Sequence, residues 1–371
     1  MMNGLYIHIP FCLKKCGYCD FVSYENRLSE GEQYVKALLS EMEQYKGTEV
    51  DTVYIGGGTP TALPPHLLIR ILLGVKENFY ILPGAEITVE ANPGTCDGHY
   101  FQELKQAGVN RISLGVQSFV DEELKRLGRI HSAEEAKQAV KNAKAAGIEN
   151  VSLDLMFSIP LQSKESFLYS IKEAIGLQPT HISSYSLIVC EGTPIEQAVS
   201  QGKLILPDED EDRDFYALLV ETLERAGYQR YEISNFAKTG KEARHNTKYW
   251  TRNPYIGLGA AAHSFWESRR FENPPCLSEY YAVCRGEKER VSEAITEKDA
   301  MAEFMFLGLR MTKQGISKQE FLQCFGVSIE EIYGEQLEKL CRLGLLECLG
   351  DAIRLTDRGI DVSNGVFCEF V

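Results

Sequence analysis

The sequence contains no long apolar run, and positive charge is scarce in it. A membrane-spanning helix needs about 18 to 20 consecutive apolar residues, and no stretch approaches that length, so no transmembrane segment is expected. The chain has 39 Lys and Arg against 53 Asp and Glu, which gives a formal net charge of −14. Nucleic acids and anionic membranes favour clustered positive charge. A nucleic-acid partner is therefore not expected.

The chain also shows neither a secretory leader nor a regular cysteine framework. Its first residues lead directly into a strand-like run, without the basic and apolar regions of a signal peptide. Eight of the eleven cysteines are scattered, which is typical of free thiols in a reducing compartment. These features predict a cytoplasmic protein. The eight are Cys96, Cys190, Cys276, Cys284, Cys324, Cys341, Cys348 and Cys368.

The other three cysteines, Cys12, Cys16 and Cys19, have the spacing C-x3-C-x2-C and follow the strand-like run Leu5–Ile9. Thiolates this close on one loop can converge on a single centre, and iron–sulfur clusters are held by cysteine thiolates. A [4Fe–4S] cluster on three cysteines keeps one iron open for a substrate or cofactor. At this point a zinc site completed by a fourth ligand such as His8, or three unliganded thiols, remain alternatives.

The first half of the chain alternates strand-like and helix-like runs, which predicts six βα units. The strands are short, apolar and bounded by Gly or Pro, as in a parallel sheet with helices outside. Six units give an α/β fold with a partial (β/α)6 barrel or an open, curved sheet. The predicted strands are Leu5–Ile9, Asp51–Ile55, Ala85–Ala91, Arg111–Val116, Val151–Phe157 and His181–Ile188.

A length of 371 residues predicts more than one domain. The βα pattern occupies 1–205. An α+β extension follows at 206–295, and its acidic run Asp208–Asp214 suits the start of a helix. Residues 296–371 have the pattern of three helices and a hairpin, a small winged-helix-like domain. This domain has 13 Asp and Glu against 8 Lys and Arg, which favours a packing or interaction role over DNA binding.

Unusual polar residues lie where the predicted strands end, which is where parallel barrels carry their sites. The turn Gly56–Thr61 leaves backbone groups open to a small polar ligand, although a tight βα turn has the same pattern. Glu90, Gln117, Arg129 and Asp154 come from further units. A cofactor with ammonium, carboxylate and ribose groups needs such a mixture. A structural role for each residue is the alternative.

The segment Arg244–Trp250 combines basic and aromatic residues. His245 and Tyr249 are four residues apart and would share one face of a helix. A histidine among aromatic side chains suits an axial ligand of haem iron. A hydrogen-bonded interface histidine is the alternative.

Taken together, these motifs resemble a known family. The cysteine loop preceded by Tyr6-Ile-His-Ile-Pro-Phe11 resembles that of the radical S-adenosylmethionine (SAM) enzymes, and more narrowly of the oxygen-independent coproporphyrinogen III oxidase group. The likeness covers most of the chain, including its small C-terminal domain. It runs through GGGTPT, VEANPG, ISLGVQSF, LGRIHS, SLDLMFSIP, RHNTKYW and YIGLGAAAHS.

Two features match the haem chaperone branch of this group. The oxidases resemble C-x3-C-x2-C-x-C, whereas this chain has Phe21 at the fourth position. The chaperone branch is marked by H-N-x-x-Y-W, which is present at 245–250. The resemblance therefore implies a chaperone that binds haem and passes it to client apoproteins. An active oxidase that converts two propionates to vinyl groups, and a binding module with zinc or without a cluster, are the alternatives.

The resemblance also implies site residues, position by position. It assigns the [4Fe–4S] cluster to Cys12, Cys16 and Cys19, and one SAM to Tyr6, Gly57, Glu90 and Ile188. The positions that hold a second SAM in the oxidases are Tyr18, Gly58, Thr59, Gln117, Arg129 and Asp154. For haem it points to His245, with Asn246, Tyr249 and Trp250 nearby. No catalytic residue is assigned.

The partners that the resemblance implies are haem, client haemoproteins and a reductant for the cluster. It allows a homodimer and transient contact with membrane haemoproteins.

Overall fold

The computed structural model describes residues 2–371. Its first part consists of six parallel strands, each followed by helix, as the sequence predicts. The strands are β1 (Asn3–Ile9), β2 (Glu49–Gly57), β3 (Tyr80–Ala91), β4 (Arg111–Gln117), β5 (Asn150–Phe157) and β6 (His181–Ser186). The helices are α1 (Gly31–Met42), α2 (Pro65–Asn78), α3 (Gly98–Gln106), α4 (Asp121–Arg126), α5 (Ala133–Ala145), α6 (Lys164–Gly176) and α7 (Pro194–Ser200).

The middle part extends the same sheet at both edges. On one side, β8 (Asn235–Ala237) pairs antiparallel with β6; on the other, β9 (Tyr255–Leu258) pairs parallel with β1. Its elements are α8 (Glu209–Arg225), β7 (Gln229–Glu232), β8 (Asn235–Ala237), α9 (Arg244–Trp250), β9 (Tyr255–Leu258), β10 (His263–Trp266), β11 (Arg269–Glu272), α10 (Leu277–Cys284) and β12 (Val291–Ala294). The strand order of the resulting twelve-stranded sheet is β12-β11-β10-β9-β1-β2-β3-β4-β5-β6-β8-β7.

The C-terminal part has its own three-stranded sheet and its own apolar core around Phe321 and Ile353. Its elements are α11 (Glu297–Gly308), β13 (Ile316–Ser317), α12 (Lys318–Phe325), α13 (Ile329–Arg342), β14 (Leu346–Leu349), β15 (Ala352–Leu355), α14 (Asp357–Asp361) and α15 (Ser363–Cys368). The predicted hairpin corresponds to β14 and β15, and β13 adds a third strand that the sequence did not indicate.

Local sequence explains where the helices begin. The predicted acidic helix start is confirmed: Asp208 caps α8 by accepting hydrogen bonds from the backbone N–H groups of Asp210 and Glu211, so the carboxylates lie at the positive end of the helix. Ser132 and Glu135 form a capping box at α5. These caps determine the residues at which the two helices begin.

The strand interiors explain the main core. Alternate residues of β1 and of its neighbour β2, such as Ile7 and Val53, are fully buried. The core of the first part also includes side chains of the middle part, among them Phe215, Ile256 and Tyr280. The division at residue 205 therefore stays a prediction, because 206–295 shares both sheet and core with the preceding residues. Among the described residues, no helix is both long and apolar enough to cross a bilayer.

Candidate functional site

The loop that carries the three cysteines is held by backbone hydrogen bonds, both between its own two ends and to a neighbouring segment. Phe11 and Tyr24 form a β-bridge, and the Cys12 N–H donates to the Tyr24 carbonyl at 3.1 Å. The Gly17 N–H donates to the Leu127 carbonyl at 3.0 Å. Gly128, with φ +75°, would bring a Cβ within 3.2 Å of the Gly17 nitrogen, so this contact favours glycine. The loop is thus held against the segment that follows α4.

A chain of hydrogen bonds links two of the cysteines to the predicted polar residues. Arg129 donates to Cys16 Sγ at 3.3 Å and to Asn92 Oδ1 at 2.6 Å. Asn92 donates to Thr59 Oγ1 at 2.8 Å, and Thr59 Oγ1 lies 3.5 Å from Cys12 Sγ. The Arg129 guanidinium thus places positive charge beside a thiol that must become a thiolate to bind metal.

Burial opposes ionisation of the other two cysteines, Cys12 and Cys19. Burial raises the pKa of the Cys19 thiol to about 11, and it raises the pKa of Cys12 as well. At neutral pH these thiols carry protons, so metal binding to them must release protons.

The described residues contain no group of three or more His, Cys, Asp or Glu side chains arranged to hold a single metal ion. A four-iron cluster bonds each thiolate to a different iron, so its cysteines need not surround one point. The residues present fit such a cluster because of their chemistry. Three thiols lie on one loop that is held by hydrogen bonds, and the Arg129 cation lies next to Cys16.

The glycine turn after β2 lies against Glu90 and the cysteine loop. The Gly57 N–H donates to Glu90 Oε2 at 3.1 Å, and Tyr54 donates to Glu90 Oε1 at 2.7 Å. Gly57 has φ +108°, and a Cβ there would lie 2.6 Å from the His8 ring. A Cβ on Gly58 would lie 3.1 Å from Cys12 Sγ. Both positions favour glycine for steric reasons, whatever ligand binds.

Two carboxyl groups share the interior of the sheet and are hard to ionise there. Burial raises the pKa of Glu90 to about 7, outweighing the Tyr54 and Gly57 hydrogen bonds, and the nearby Asp154 charge adds to the effect. Burial also raises the pKa of Asp154 to about 6, although Ser113 donates to it at 3.1 Å. Carboxyl groups with strongly shifted pKa values in a polar interior are typical of binding sites.

The remaining predicted cofactor residues fall into two groups. Tyr6, Tyr18 and Gln117 lie inside. Tyr6 donates to His8 Nδ1 at 2.9 Å, because His8 Nε2 must donate to the Val22 carbonyl. Burial raises the pKa of the Tyr18 phenol, which lies near Arg129, and Gln117 accepts from Tyr185 at 3.1 Å. Ile188 is different: it lies just after β6 and is 73% exposed.

Exposed apolar side chains surround this region. Phe21, at the position of the fourth cysteine of the oxidase pattern, is 65% exposed. Leu13 and Ile130 are also exposed, and both line a small cleft beside Cys16 and Arg129. Leu161, in the loop that follows β5, is exposed as well. The rim formed by these loops is therefore partly apolar.

His245 lies on the inward face of the short helix α9, fully buried. Its Nδ1 is 2.9 Å from Thr52 Oγ1 and its Nε2 is 2.9 Å from the Tyr249 hydroxyl. Its ring stacks on Tyr54, with centroids 5.2 Å apart. Burial, together with the Lys248 charge, lowers the pKa of His245 to about 3, so the ring is neutral. In this arrangement His245 offers no free nitrogen to an iron.

The other residues of the Arg244–Trp250 motif contact different parts of the structure. The predicted sharing of a helix face by His245 and Tyr249 is confirmed by their hydrogen bond. Trp250 lies under the Arg310 guanidinium, 4.3 Å from it, and so contacts the C-terminal part. Asn246 is partly exposed.

Sequence reasoning missed three residues that support the site. Asn92 joins Arg129 to Thr59, and alternation in β3 and beyond places it on the same side as Glu90, which was an available signal. Tyr54 bonds Glu90 and stacks on His245, and no local pattern indicated it. Glu86 accepts the backbone N–H groups of Arg244 and His245 and so caps α9. Glu86 is separated from Arg244 by 158 positions and from His245 by 159, so no local sequence pattern could have indicated these hydrogen bonds.

Comparison with known proteins supports this picture. A family model of the radical SAM superfamily matches residues 6–174, and a model of the HemN C-terminal domain matches residues 295–362. The solved structure of coproporphyrinogen III oxidase (HemN) from Escherichia coli has a TM-score of 0.86 and 24% identity, covering 100% of this chain and 90% of that one. That likeness confirms the α/β fold class with its separate C-terminal domain.

Two full-length relatives carry the same name. "Heme chaperone HemW" of Lactococcus lactis is 36% identical over 369 residues, covering 100% of this chain and 97% of the relative. "Heme chaperone HemW" of Bacillus subtilis is 36% identical over 379 residues, covering 100% of this chain and 99% of the relative. The resemblance read from the motifs is thereby confirmed, and the chain belongs to the HemW family of the radical SAM superfamily.

Proposed function

We propose that this protein is a haem chaperone, which binds haem and delivers it to client apo-haemoproteins. One observation carries the proposal: relatives named as haem chaperones are 36% identical to the chain across 97% and 99% of their own length. Because the match covers the whole chain, it spans the cysteine loop, the α9 segment and the C-terminal part together.

The exposed Phe21 supports a chaperone over an oxidase. The oxidase pattern places a fourth cysteine at this position, and here a phenylalanine projects from the cysteine loop with 65% of its surface exposed. Phenylalanine supplies neither a thiol nor a proton donor. The proposal therefore assigns no decarboxylation of propionates to this chain.

The proposal includes a [4Fe–4S] cluster on Cys12, Cys16 and Cys19. Such a cluster, with one open iron, would supply electrons to a bound SAM. The protein's own part is to hold the loop through Gly17 and Leu127 and to place Arg129 beside Cys16. A cation there would stabilise the negative charge of the bound cluster.

The proposed SAM site follows the same residues as the sequence prediction. Glu90, held by Tyr54 and Gly57, would accept hydrogen bonds from an ammonium group, and Tyr6 and Ile188 would complete this site. A second SAM would contact the other predicted positions. These are Tyr18, Gly58, Thr59, Gln117, Arg129 and Asp154.

The proposed haem site adjoins α9, which carries His245, Asn246, Tyr249 and Trp250. This helix is tied to the sheet at several points: Glu86 caps it, Lys248 pairs with Asp51 at 2.6 Å, and His245 bonds Thr52. A haem contact on α9 would therefore be connected to the Glu90 region through Tyr54.

The proposal extends to a cytoplasmic location, an external reductant and a homodimer. All eleven cysteines are free in the structure, which is typical of a reducing compartment. A cluster that supplies electrons requires a reductant. The partly apolar rim around the cysteine loop offers a surface on which a client or a second copy could dock.

Anaerobic reconstitution tests the proposal. The protein is expected to bind about four iron and four sulfide per chain, as in a [4Fe–4S] cluster, to bind haem, and to transfer haem to an apo-cytochrome. A parallel assay with coproporphyrinogen, SAM and reductant is expected to form no protoporphyrinogen. Formation of protoporphyrinogen would favour the oxidase, and zinc without iron would exclude the cluster.

A further inference from the structure

Two cysteines of the C-terminal part lie side by side. Cys341 is near the end of α13 and Cys348 is in β14, and their sulfur atoms are 3.4 Å apart. Both are free thiols, and neither belongs to the three-cysteine loop or to the residues used by the proposed function. The fold therefore creates a dithiol outside the site already described.

The end of α13 determines how the two cysteines face each other. Gly344 follows the helix with φ +70°, a conformation that glycine adopts without strain. The Gly344 N–H donates to the Cys341 carbonyl at 3.0 Å, and the Leu345 N–H donates to the Leu340 carbonyl at 2.9 Å. These hydrogen bonds reverse the chain directly into β14. The position of Cys348 relative to Cys341 thus follows from the backbone.

Apolar neighbours orient both thiols toward the same core. Leu337 is one helical turn before Cys341 and is buried, so Cys341 lies on the inward face of α13. Leu346 is two residues before Cys348 and is also buried, and residues two apart share a face of a strand. Cys341 is half-buried against this core, whereas Cys348 is exposed at its margin.

A positive charge lies near the two sulfur atoms. Lys318, the first residue of α12, interacts electrostatically with both thiols and also pairs with Glu330 at 2.7 Å. Burial raises the pKa of the Cys341 thiol to about 11, the hydrogen bond with Cys348 adds to this effect, and the Lys318 charge opposes it. Thiolates are the reactive form of cysteine, and a nearby cation stabilises them.

We propose that Cys341 and Cys348 form a reversible disulfide, which makes this pair a redox modification site of the C-terminal part. The sulfur atoms of a disulfide are about 2.05 Å apart, so an approach of the two side chains by roughly 1.4 Å completes the bond. The inference does not depend on the haem chaperone function. The dithiol is the resting form in a reducing compartment, and the disulfide forms when the pool of small thiols becomes oxidised.

The reaction is an exchange with a low-molecular-weight disulfide such as oxidised glutathione. The exposed Cys348 thiolate attacks one sulfur of that disulfide, whose S–S bond breaks, and one glutathione leaves as a thiolate. The Cys341 thiolate then attacks the Cys348 sulfur and displaces the second glutathione. The protons of the two protein thiols pass to the two released glutathiones. Two electrons thus move from the protein to the small disulfide.

The bond joins the end of α13 to an edge strand. Within the three-stranded sheet, β14 pairs with β15 alone, and its other edge has no strand beside it. A cross-link between α13 and β14 restricts the unfolded chain and so favours the folded state. The C-terminal part should therefore resist unfolding better in the oxidised protein than in the reduced one.

The experiment is anaerobic incubation of the reconstituted full chain in glutathione buffers of increasing oxidised fraction, followed by alkylation of free thiols and non-reducing peptide mapping. We expect a cross-link between Cys341 and Cys348 that dithiothreitol reverses. Cys324 and Cys368 are internal controls, since both are exposed in the same part, and neither should form a cross-link within the chain. No cross-link with oxidised glutathione alone, or cross-links of Cys341 and Cys348 to other cysteines instead, would overturn the proposal.

Cys341→Ser separates the two steps of the exchange. Without the second thiol, the glutathione adduct at Cys348 should accumulate several-fold over its wild-type level, and Cys324→Ser, the matched control, should retain the wild-type cross-link. Equal amounts of adduct in Cys341→Ser and wild type would refute the role of Cys341. Urea unfolding tests the stabilisation: oxidation should raise the midpoint of wild type but not of Cys348→Ser, and equal midpoints for oxidised and reduced wild type would contradict it.

Discussion

Glu90→Gln should make the apo-protein more stable at alkaline pH while it weakens SAM binding. The Glu90 carboxyl is buried in the sheet interior, where burial raises its pKa from 4.5 to about 7. Its ionised form is therefore less favourable in the folded state than in the unfolded state. Glutamine keeps the shape of the side chain without the charge: its amide oxygen can accept from the Gly57 N–H, and its NH2 group can donate to the Tyr54 hydroxyl in place of the bond that Glu90 accepts from it.

The sign of the pH dependence follows from proton binding. Between pH 4.5 and about 7, the folded protein binds more protons at Glu90 than the unfolded chain, so the unfolding free energy falls as pH rises. At about 1.4 kcal/mol per pKa unit, the full effect is about 3 kcal/mol, and most of it develops between about pH 5 and about pH 8. Glu90→Gln lacks this dependence.

Urea unfolding at about pH 5 and about pH 8 measures the difference, with SAM affinity determined by calorimetry on the reconstituted protein. The stability of the variant relative to wild type should rise by about 2–3 kcal/mol from the lower to the higher pH. The exposed Glu122→Gln serves as a control and should show no such rise. Parallel pH curves for wild type and Glu90→Gln would refute the buried-charge reasoning.

Three further predictions concern the loop, the glycine turn and α9. Cys16→Ala should abolish iron–sulfur absorbance after reconstitution, whereas the control Cys276→Ala, at an exposed position, should retain it. An intact iron–sulfur spectrum in Cys16→Ala would exclude Cys16 as a cluster ligand. Gly57→Ala should lower the free energy of unfolding in urea more than Gly84→Ala does. Both glycines have positive φ, but only at Gly57 would an added Cβ clash with a neighbouring side chain. Equal losses of stability would refute this steric argument. His245→Ala should cost about 2–4 kcal/mol of stability by leaving buried partners unpaired, and His66→Ala almost nothing; comparable urea midpoints for the two would contradict the anchoring role.

The parallel half of the fold could be predicted from sequence because each element carries a local signal. The predicted Pro65–Phe79 helix and the Val151–Phe157 strand differ from α2 and β5 by one residue. Apolar runs bounded by Gly or Pro give strands, and caps such as Asp208 give helix starts. These signals are short-range, and the topology of alternating units follows from them.

The edge strands β9 to β12 could not be predicted in the same way. The segment Tyr255–His263 is rich in Gly and Ala, and Ile256 is its only β-branched residue, whereas several such residues usually mark a strand. Its glycines are required by close contacts: a Cβ on Gly257 would lie 2.0 Å from the His263 carbonyl oxygen. Such a requirement depends on a neighbouring strand and is not visible in the local pattern.

Part of the candidate site could be predicted from sequence, and the remainder could not, for a similar reason. The cysteine spacing and the position of Glu90 at a strand end are visible in sequence, and the LGRIHS motif indicated Arg129, which follows α4. The environment of His245 is not, because it depends on Thr52 and Glu86, which are distant in the chain.

The most direct test of the central claim is transfer of haem from the loaded protein to an apo-cytochrome under anaerobic conditions. The haem chaperone account predicts that the haem spectrum of this protein disappears as that of the holo-cytochrome forms, faster than with free haem at the same concentration. If the haem-loaded protein retains its haem, or releases it no faster to the apo-cytochrome than to buffer, the account is contradicted.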